Sequence, residues 1–269
     1  MNSSTSNPII PIMSAERHAN LNKETEEKPI YPAVLFCGYS KSGTTIITKT
    51  FAHCTGQPWS NEARELWGIG AAIDRTRPLS DFHLQFRASG RWAEAQPNVK
   101  HSPILKFPEG MLIIDLFPPE TSTVCVVRNP LDNVCAYLER KHEFSTLDFT
   151  TDELVARADD WNYHYLTTSQ AKRPIKYIRY EDFVDEPVSM INEIAKFLDT
   201  PIINNAPDWI NEQAQPYYRY LPEGHEIRGI GRYKLSIRSD EAKSQVLEAC
   251  RPALGYLNTV GIQFGEVLK

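Results

Sequence analysis

Eight residues, Gly38-Tyr39-Ser40-Lys41-Ser42-Gly43-Thr44-Thr45, restrict what this chain can fold into more than any other stretch. They follow an apolar run, Ala33-Val34-Leu35-Phe36-Cys37, that reads as a buried strand. They lead into Thr44 to Cys54, where Ile46, Ile47 and Phe51 fall on one helical face and Gly56 stands just beyond the end. The two glycines have the G-x-x-x-x-G spacing of a loop whose backbone N–H groups, backed by a helix N-terminus, cradle an oxyanion. A nucleotide phosphate is the natural guest. The nucleoside triphosphatase form of this loop needs lysine directly after the second glycine, yet position 44 is threonine and the lysine, Lys41, lies inside the loop.

The strand, turn and helix pattern recurs along the chain. Val124–Val127 reads as a second buried strand, followed by a helix with Asn129 as N-cap, Pro130 at N1 and Asp132 at N3. Thr150-Thr151-Asp152-Glu153 opens a long helix with a capping box, running to about Gln170. Ile175–Arg179 follows Pro174 as a third strand, and Pro187–Leu198 is a further amphipathic helix. Such alternation predicts an α/β fold: a single domain with a central, mainly parallel sheet flanked by helices and a P-loop-like first loop. Ligands in such sheets bind at the carboxyl ends of the strands, so the loops after Cys37, Val127 and Arg179 are expected to meet at one site.

The first 30 residues are rich in Ser, Asn, Lys and Glu and lack periodicity, which predicts a flexible tail ahead of a domain over 31–269. With 41% hydrophobic residues in a chain of 269, that domain can bury a sizeable core. A formal charge of -5 offers no diffuse attraction to nucleic acid or to an anionic membrane, so an anionic ligand needs a local basic pocket. The five cysteines, Cys37, Cys54, Cys125, Cys135 and Cys250, form no C-x-x-C pair and are odd in number. They read as buried small hydrophobes of a reduced, cytoplasmic protein rather than a disulfide scaffold or a metal site.

Ser40-Lys41-Ser42-Gly43-Thr44-Thr45 resembles the P-K-S-G-T-T loop of the sulfotransferases that use 3′-phosphoadenosine 5′-phosphosulfate (PAPS), differing in its first residue. The resemblance continues in family order. Arg128-Asn129-Pro130-Leu131-Asp132 is similar to the R-N-P-x-D segment, Tyr180-Glu181-Asp182-Phe183 to Y-E-D-L, and Phe197-Leu198 to F-L-G. Gly231-Arg232-Tyr233-Lys234, preceded by Arg228, is similar to the basic closing loop of bacterial members. By this resemblance Lys41, Ser42, Gly43, Thr44 and Thr45 hold the 5′-phosphosulfate, and Arg128, with Arg228 and Arg232, holds the 3′-phosphate. Tyr180 contacts adenine. The implied reaction is in-line attack by an acceptor oxygen or nitrogen on sulfur, expelling adenosine 3′,5′-bisphosphate (PAP), with Lys41 countering charge on the leaving phosphate and no metal needed.

The general base stays open between His101, which stands one residue early relative to the family's K-T-H, and Glu62 or Glu65 after the first helix. Two further departures are Ala136, where the family has a serine for the 3′-phosphate, and Ile46, where an aromatic often stacks on adenine. Trp59, Trp67, Phe82, Phe86, Trp92, Tyr137 and Phe144 lie in segments expected to line the acceptor pocket. Together with nearby acids they suit a flat or cationic metabolite, such as a guanidinium alkaloid of the saxitoxin type, and so a tailoring enzyme of bacterial secondary metabolism. Alternatives are a P-loop nucleotide-dependent kinase and a catalytically silent nucleotide-binding module. The oligomeric state is open.

Overall fold

The computed structural model describes residues 33–61, 104–117, 119–143, 148–204, 231 and 233–265, all within one compact unit, Tyr31–Lys269. Five strands, β1 (Val34–Cys37), β2 (Trp59–Asn61), β3 (Ile104–Lys106), β4 (Ser122–Val127) and β5 (Ile175–Arg179), make one sheet in the order β2-β3-β1-β4-β5. Every neighbouring pair is parallel, with Cys37 opposite Cys125 and Val127 opposite Arg179. β1 and β4 are buried almost throughout because parallel strands are covered on both faces, which is why they are continuous apolar runs rather than alternating ones.

The two-residue period of a strand divides those runs between two cores. Leu35, Cys37, Cys125 and Val127 face α2 (Pro130–Lys141), α3 (Thr151–Thr168) and α7 (Asp240–Thr259), meeting Leu131, Leu138, Trp161 and Val246. Val34, Phe36, Val124 and Val126 face the other way, onto Ile47 and Phe51 of α1 (Thr44–Thr55) and Ile191 and Ile194 of α5 (Pro187–Phe197). Short helices α4 (Tyr180–Asp185) and α6 (Tyr233–Ser236) and two 3-10 turns, Pro108–Leu112 and Ile114–Leu116, complete the described elements. No helix among the described residues is long and apolar enough to cross a membrane.

Caps place the helix starts where the sequence puts them. Asn129 accepts the Leu131 N–H at 3.0 Å and so fixes the entry of α2. At α3 the box is reciprocal: Thr150 Oγ1 accepts the Glu153 N–H at 3.2 Å while Glu153 accepts the Thr150 N–H at 3.0 Å. β4 starts two residues earlier than its apolar core, at Ser122, and α3 stops at Thr168 rather than near Gln170. α7 has no counterpart among the elements read from sequence, because Pro252 lies inside it. Proline withholds one N–H and disturbs the turn before it; here the neighbouring Ala253 N–H is taken up by Asn162 Oδ1 at 2.8 Å, across the α3 contact.

The strand order sets the ligand position. β1 connects through α1 across one face to the β2 edge, whereas β4 connects through α2 and α3 across the other face to β5. Connections that leave adjacent strands in opposite directions open a crevice at their carboxyl ends. Those ends carry Gly38 and Arg128.

Candidate active site

At the first loop, Gly38 has φ +149° and a Cβ there would lie 2.4 Å from the Val126 carbonyl, so only glycine lets β1 turn this close to β4. Gly43 has φ +96°, and a Cβ would lie 2.2 Å from the ring of Tyr180. The loop is anchored from below: the Tyr39 N–H donates to the Tyr165 hydroxyl at 3.2 Å, which itself donates to the Val126 carbonyl at 2.8 Å. The Tyr39 hydroxyl donates to Asp160 at 2.9 Å, and the Ser42 N–H closes a turn onto the Tyr39 carbonyl at 3.0 Å. Tyr165 and the Asp160 carboxylate come from α3, so this helix holds the loop's floor.

The segment after β4 holds the loop from the side. Arg128, only 7% exposed, donates from Nη1 to the Lys41 carbonyl at 3.0 Å and stacks its guanidinium 4.9 Å from the Tyr180 ring centre. Asn133, fully buried in the first turn of α2, donates from Nδ2 to the Ser40 carbonyl at 2.8 Å. Lys41 lies between these two bonds with φ +69°, a left-handed conformation that a side-chain-bearing residue keeps only when its surroundings impose it. Its side chain is exposed, Ser42 and Thr44 are buried, and Gly43 and Thr45 are half-buried.

Helix α1 begins at Gly43, which has no side chain to cap it, and no acidic residue stands in the first turn. The leading N–H groups of a helix have no intrahelical acceptor, and their dipole favours an anion. That end of the helix, with Lys41 beside it, can receive an oxyanion.

The third loop closes the arrangement. Tyr180, at the end of β5, is buried against Gly43 and under Arg128. Glu181 accepts the Asn129 N–H at 2.9 Å. Burial pushes its carboxyl above the usual glutamate range, against the downward pull of the Asn129 N–H and of Arg128 and Arg179. Asp132 accepts the backbone N–H groups of Gly231 at 2.8 Å and Tyr233 at 2.9 Å, tying the distal basic segment to the start of α2.

The structure thus brings together Lys41, Ser42, Gly43, Thr44, Thr45, Arg128 and Tyr180. His101, Glu62, Glu65, Arg228 and Arg232 lie outside the described residues, as do Trp67, Phe82, Phe86, Trp92 and Phe144. Ala136 is half-buried on α2, and Ile46 packs against the core beneath α1. Trp59 packs against that same core with the Lys49 ammonium 5.7 Å from its ring centre, while Tyr137 lies against Tyr39 and Arg157. Tyr39, Asn133, Asp160, Tyr165 and Glu181 had no assigned role from sequence. Tyr39 and Glu181 sit within or beside the quoted motifs, and Asn133 directly follows the Arg128–Asp132 segment.

Comparison with known proteins agrees with this geometry. The family described as "Sulfotransferase domain" matches residues 31–220. No curated protein sequence matches. Among solved structures, retinol dehydratase in complex with retinol and PAP is similar with a TM-score of 0.55 at 14% identity, over 88% of this chain and 84% of that one. A sulfotransferase from Alicyclobacillus acidocaldarius gives 0.51 at 11% identity, over 88% of this chain and 99% of that chain. The sulfotransferase domain from the curacin biosynthetic pathway gives 0.50 at 13%, over 86% and 99%. These likenesses are of fold; the family match, spanning all three strand-end loops, establishes that the chain belongs to the sulfotransferase domain family.

Proposed function

We propose that this sulfotransferase moves a sulfonate group from PAPS to a hydroxyl or amine of a small-molecule acceptor. The observation that carries the reading is the uncapped, acid-free N-terminus of α1 with Lys41 beside it and Arg128 across the crevice. The residues present fit such a donor: a backbone cradle for one phosphate-like group, and a cation at the next helix start for a second. The acceptor atom attacks sulfur in line, forming its S–O or S–N bond as the bond from sulfur to the 5′-phosphate oxygen breaks. The electron pair departs with PAP. Lys41 donates to that oxygen as charge builds, and the N–H groups of Thr44 and Thr45 hold its neighbours. The acceptor's proton passes to a base, for which His101, Glu62 and Glu65 are the candidates.

Arg128, with Arg228 and Arg232, is assigned to the 3′-phosphate, and Tyr180 to the adenine end. Residues 31–269 act as one domain in the cytoplasm. A bound small molecule is described for the retinol dehydratase structure. For the acceptor, the aromatic and acidic character of the lining segments favours a flat or cationic metabolite, such as a guanidinium alkaloid of the saxitoxin type. PAP release from PAPS is the test, measured with a panel of phenols, alcohols, amines and guanidinium alkaloids. Lys41→Ala is expected to lower the best rate about a hundredfold or more while the fold survives. Unchanged turnover in that variant rejects the assignment.

A further inference from the structure

We propose that Asn133 is a positioning residue for Lys41. The inference rests on Lys41 acting on the leaving group as described above, and it starts from how Lys41 is held. The Ser40 and Lys41 carbonyls belong to the two peptide units on either side of the Lys41 Cα. One accepts from Asn133 Nδ2 at 2.8 Å and the other from Arg128 Nη1 at 3.0 Å. Pinning both planes sets the direction of the Lys41 Cα–Cβ bond and maintains φ +69°, which the side chain would otherwise leave for an ordinary backbone conformation.

Stability alone does not favour an amide at this position. Asn133 is fully buried, and its Oδ1 is buried with no hydrogen-bond partner among the described residues. A buried orphan acceptor is a net cost that leucine, of similar size, would remove. Among the described residues, the bond that Asn133's side-chain amide makes goes to the loop that carries Lys41. The side chain's contribution is therefore to the geometry of that loop, and its cost is borne by the fold.

The test combines Asn133→Leu with Lys41→Ala in a double-mutant cycle, reading kcat and KM for PAPS as PAP release, with the best acceptor of the panel or with water where none is taken. Asn133→Leu is expected to lower kcat about tenfold and to change the PAPS KM less than about threefold. Its melting temperature should be equal to or above that of the parent. In the Lys41→Ala background it should lower kcat no further, because residues acting as one unit are not additive. The proposal is overturned if Asn133→Leu leaves kcat unchanged, if it lowers kcat by the same factor in both backgrounds, or if KM alone responds. If Asn133→Leu does not fold, Asn133→Ala takes its place, and failure of both to fold makes Asn133 a residue of the core and overturns the proposal. A parent protein that releases no PAP, or a Lys41→Ala variant with full turnover, rejects the underlying reading, a result seen without any change at Asn133.

Discussion

Arg128 reaches both the Lys41 carbonyl and the Tyr180 ring. Under the proposed assignment to the 3′-phosphate, it would supply a charge-assisted bond worth roughly 1.5–3 kcal/mol, or about one to two decades of affinity. Calorimetry is expected to show Arg128→Ala weakening PAP by that much and its 3′-dephospho analogue far less. Equal weakening of both nucleotides would show that the arginine does not read the 3′-phosphate. Glu181, two bonds away through Asn129, gives a pH-dependent prediction. Its carboxyl is raised in the folded chain by burial, so as pH rises the unfolded chain loses its proton first. The unfolded state then binds fewer protons than the folded one, and stability falls between the ordinary glutamate pKa and the raised one. Glu181→Gln keeps an acceptor for the Asn129 N–H and removes this loss. Its melting temperature should match the parent's in acid and exceed it increasingly as pH climbs through that window; a constant difference across pH would refute the assignment.

At the scale of elements, α3 carries more of the site than its distance in sequence suggests. Its Tyr165 and Asp160 hold Tyr39, its Trp161 fills the core beneath β1 and β4, and its Asn162 meets α7. Its start depends on the Thr150–Glu153 box at the surface, where the bonds to Thr150 lower the Glu153 carboxyl below the usual range. Thr150→Ala is expected to cost about 1 kcal/mol in urea unfolding at an unchanged m-value. Because the cap is exposed while the loop contacts are at the far end of the helix, PAP affinity should remain within about twofold. A large affinity loss would mean that fraying of the first turn reaches the loop.

For the whole molecule, the two cores enclose all five thiols, which are free and fully covered. Burial raises the Cys125, Cys135 and Cys250 thiols further, so the reactive thiolate is scarce as well as shielded. A disulfide reagent such as 5,5′-dithiobis(2-nitrobenzoate) should label none of them on a minutes timescale in native buffer and all five in guanidinium. Rapid labelling of one or two native cysteines would show that a core opens locally. The same two cores fix the crevice, since the connections from β1 and β4 diverge to opposite faces and leave the loops between them at the sheet's carboxyl edge.

Local rules written into consecutive residues were enough to specify several features. The strands at 34–37 and 175–179, the Asn129 and Thr150 caps, and the glycine positions that force the first loop each depend on neighbours a few residues away. The family pattern added the order of the three loops and the residues assigned to them. Tertiary structure decided what depends on partners far along the chain. The α7 helix runs through Pro252, and the Ala253 N–H beside it is taken by Asn162, some 90 residues earlier. Tyr180 is buried because Gly43 leaves room for its ring, and Lys41 keeps a left-handed backbone because Arg128 and Asn133 bond the carbonyls on either side of it. A chain read locally shows which groups can bond, but the bond that forms depends on which strand ends the sheet places side by side.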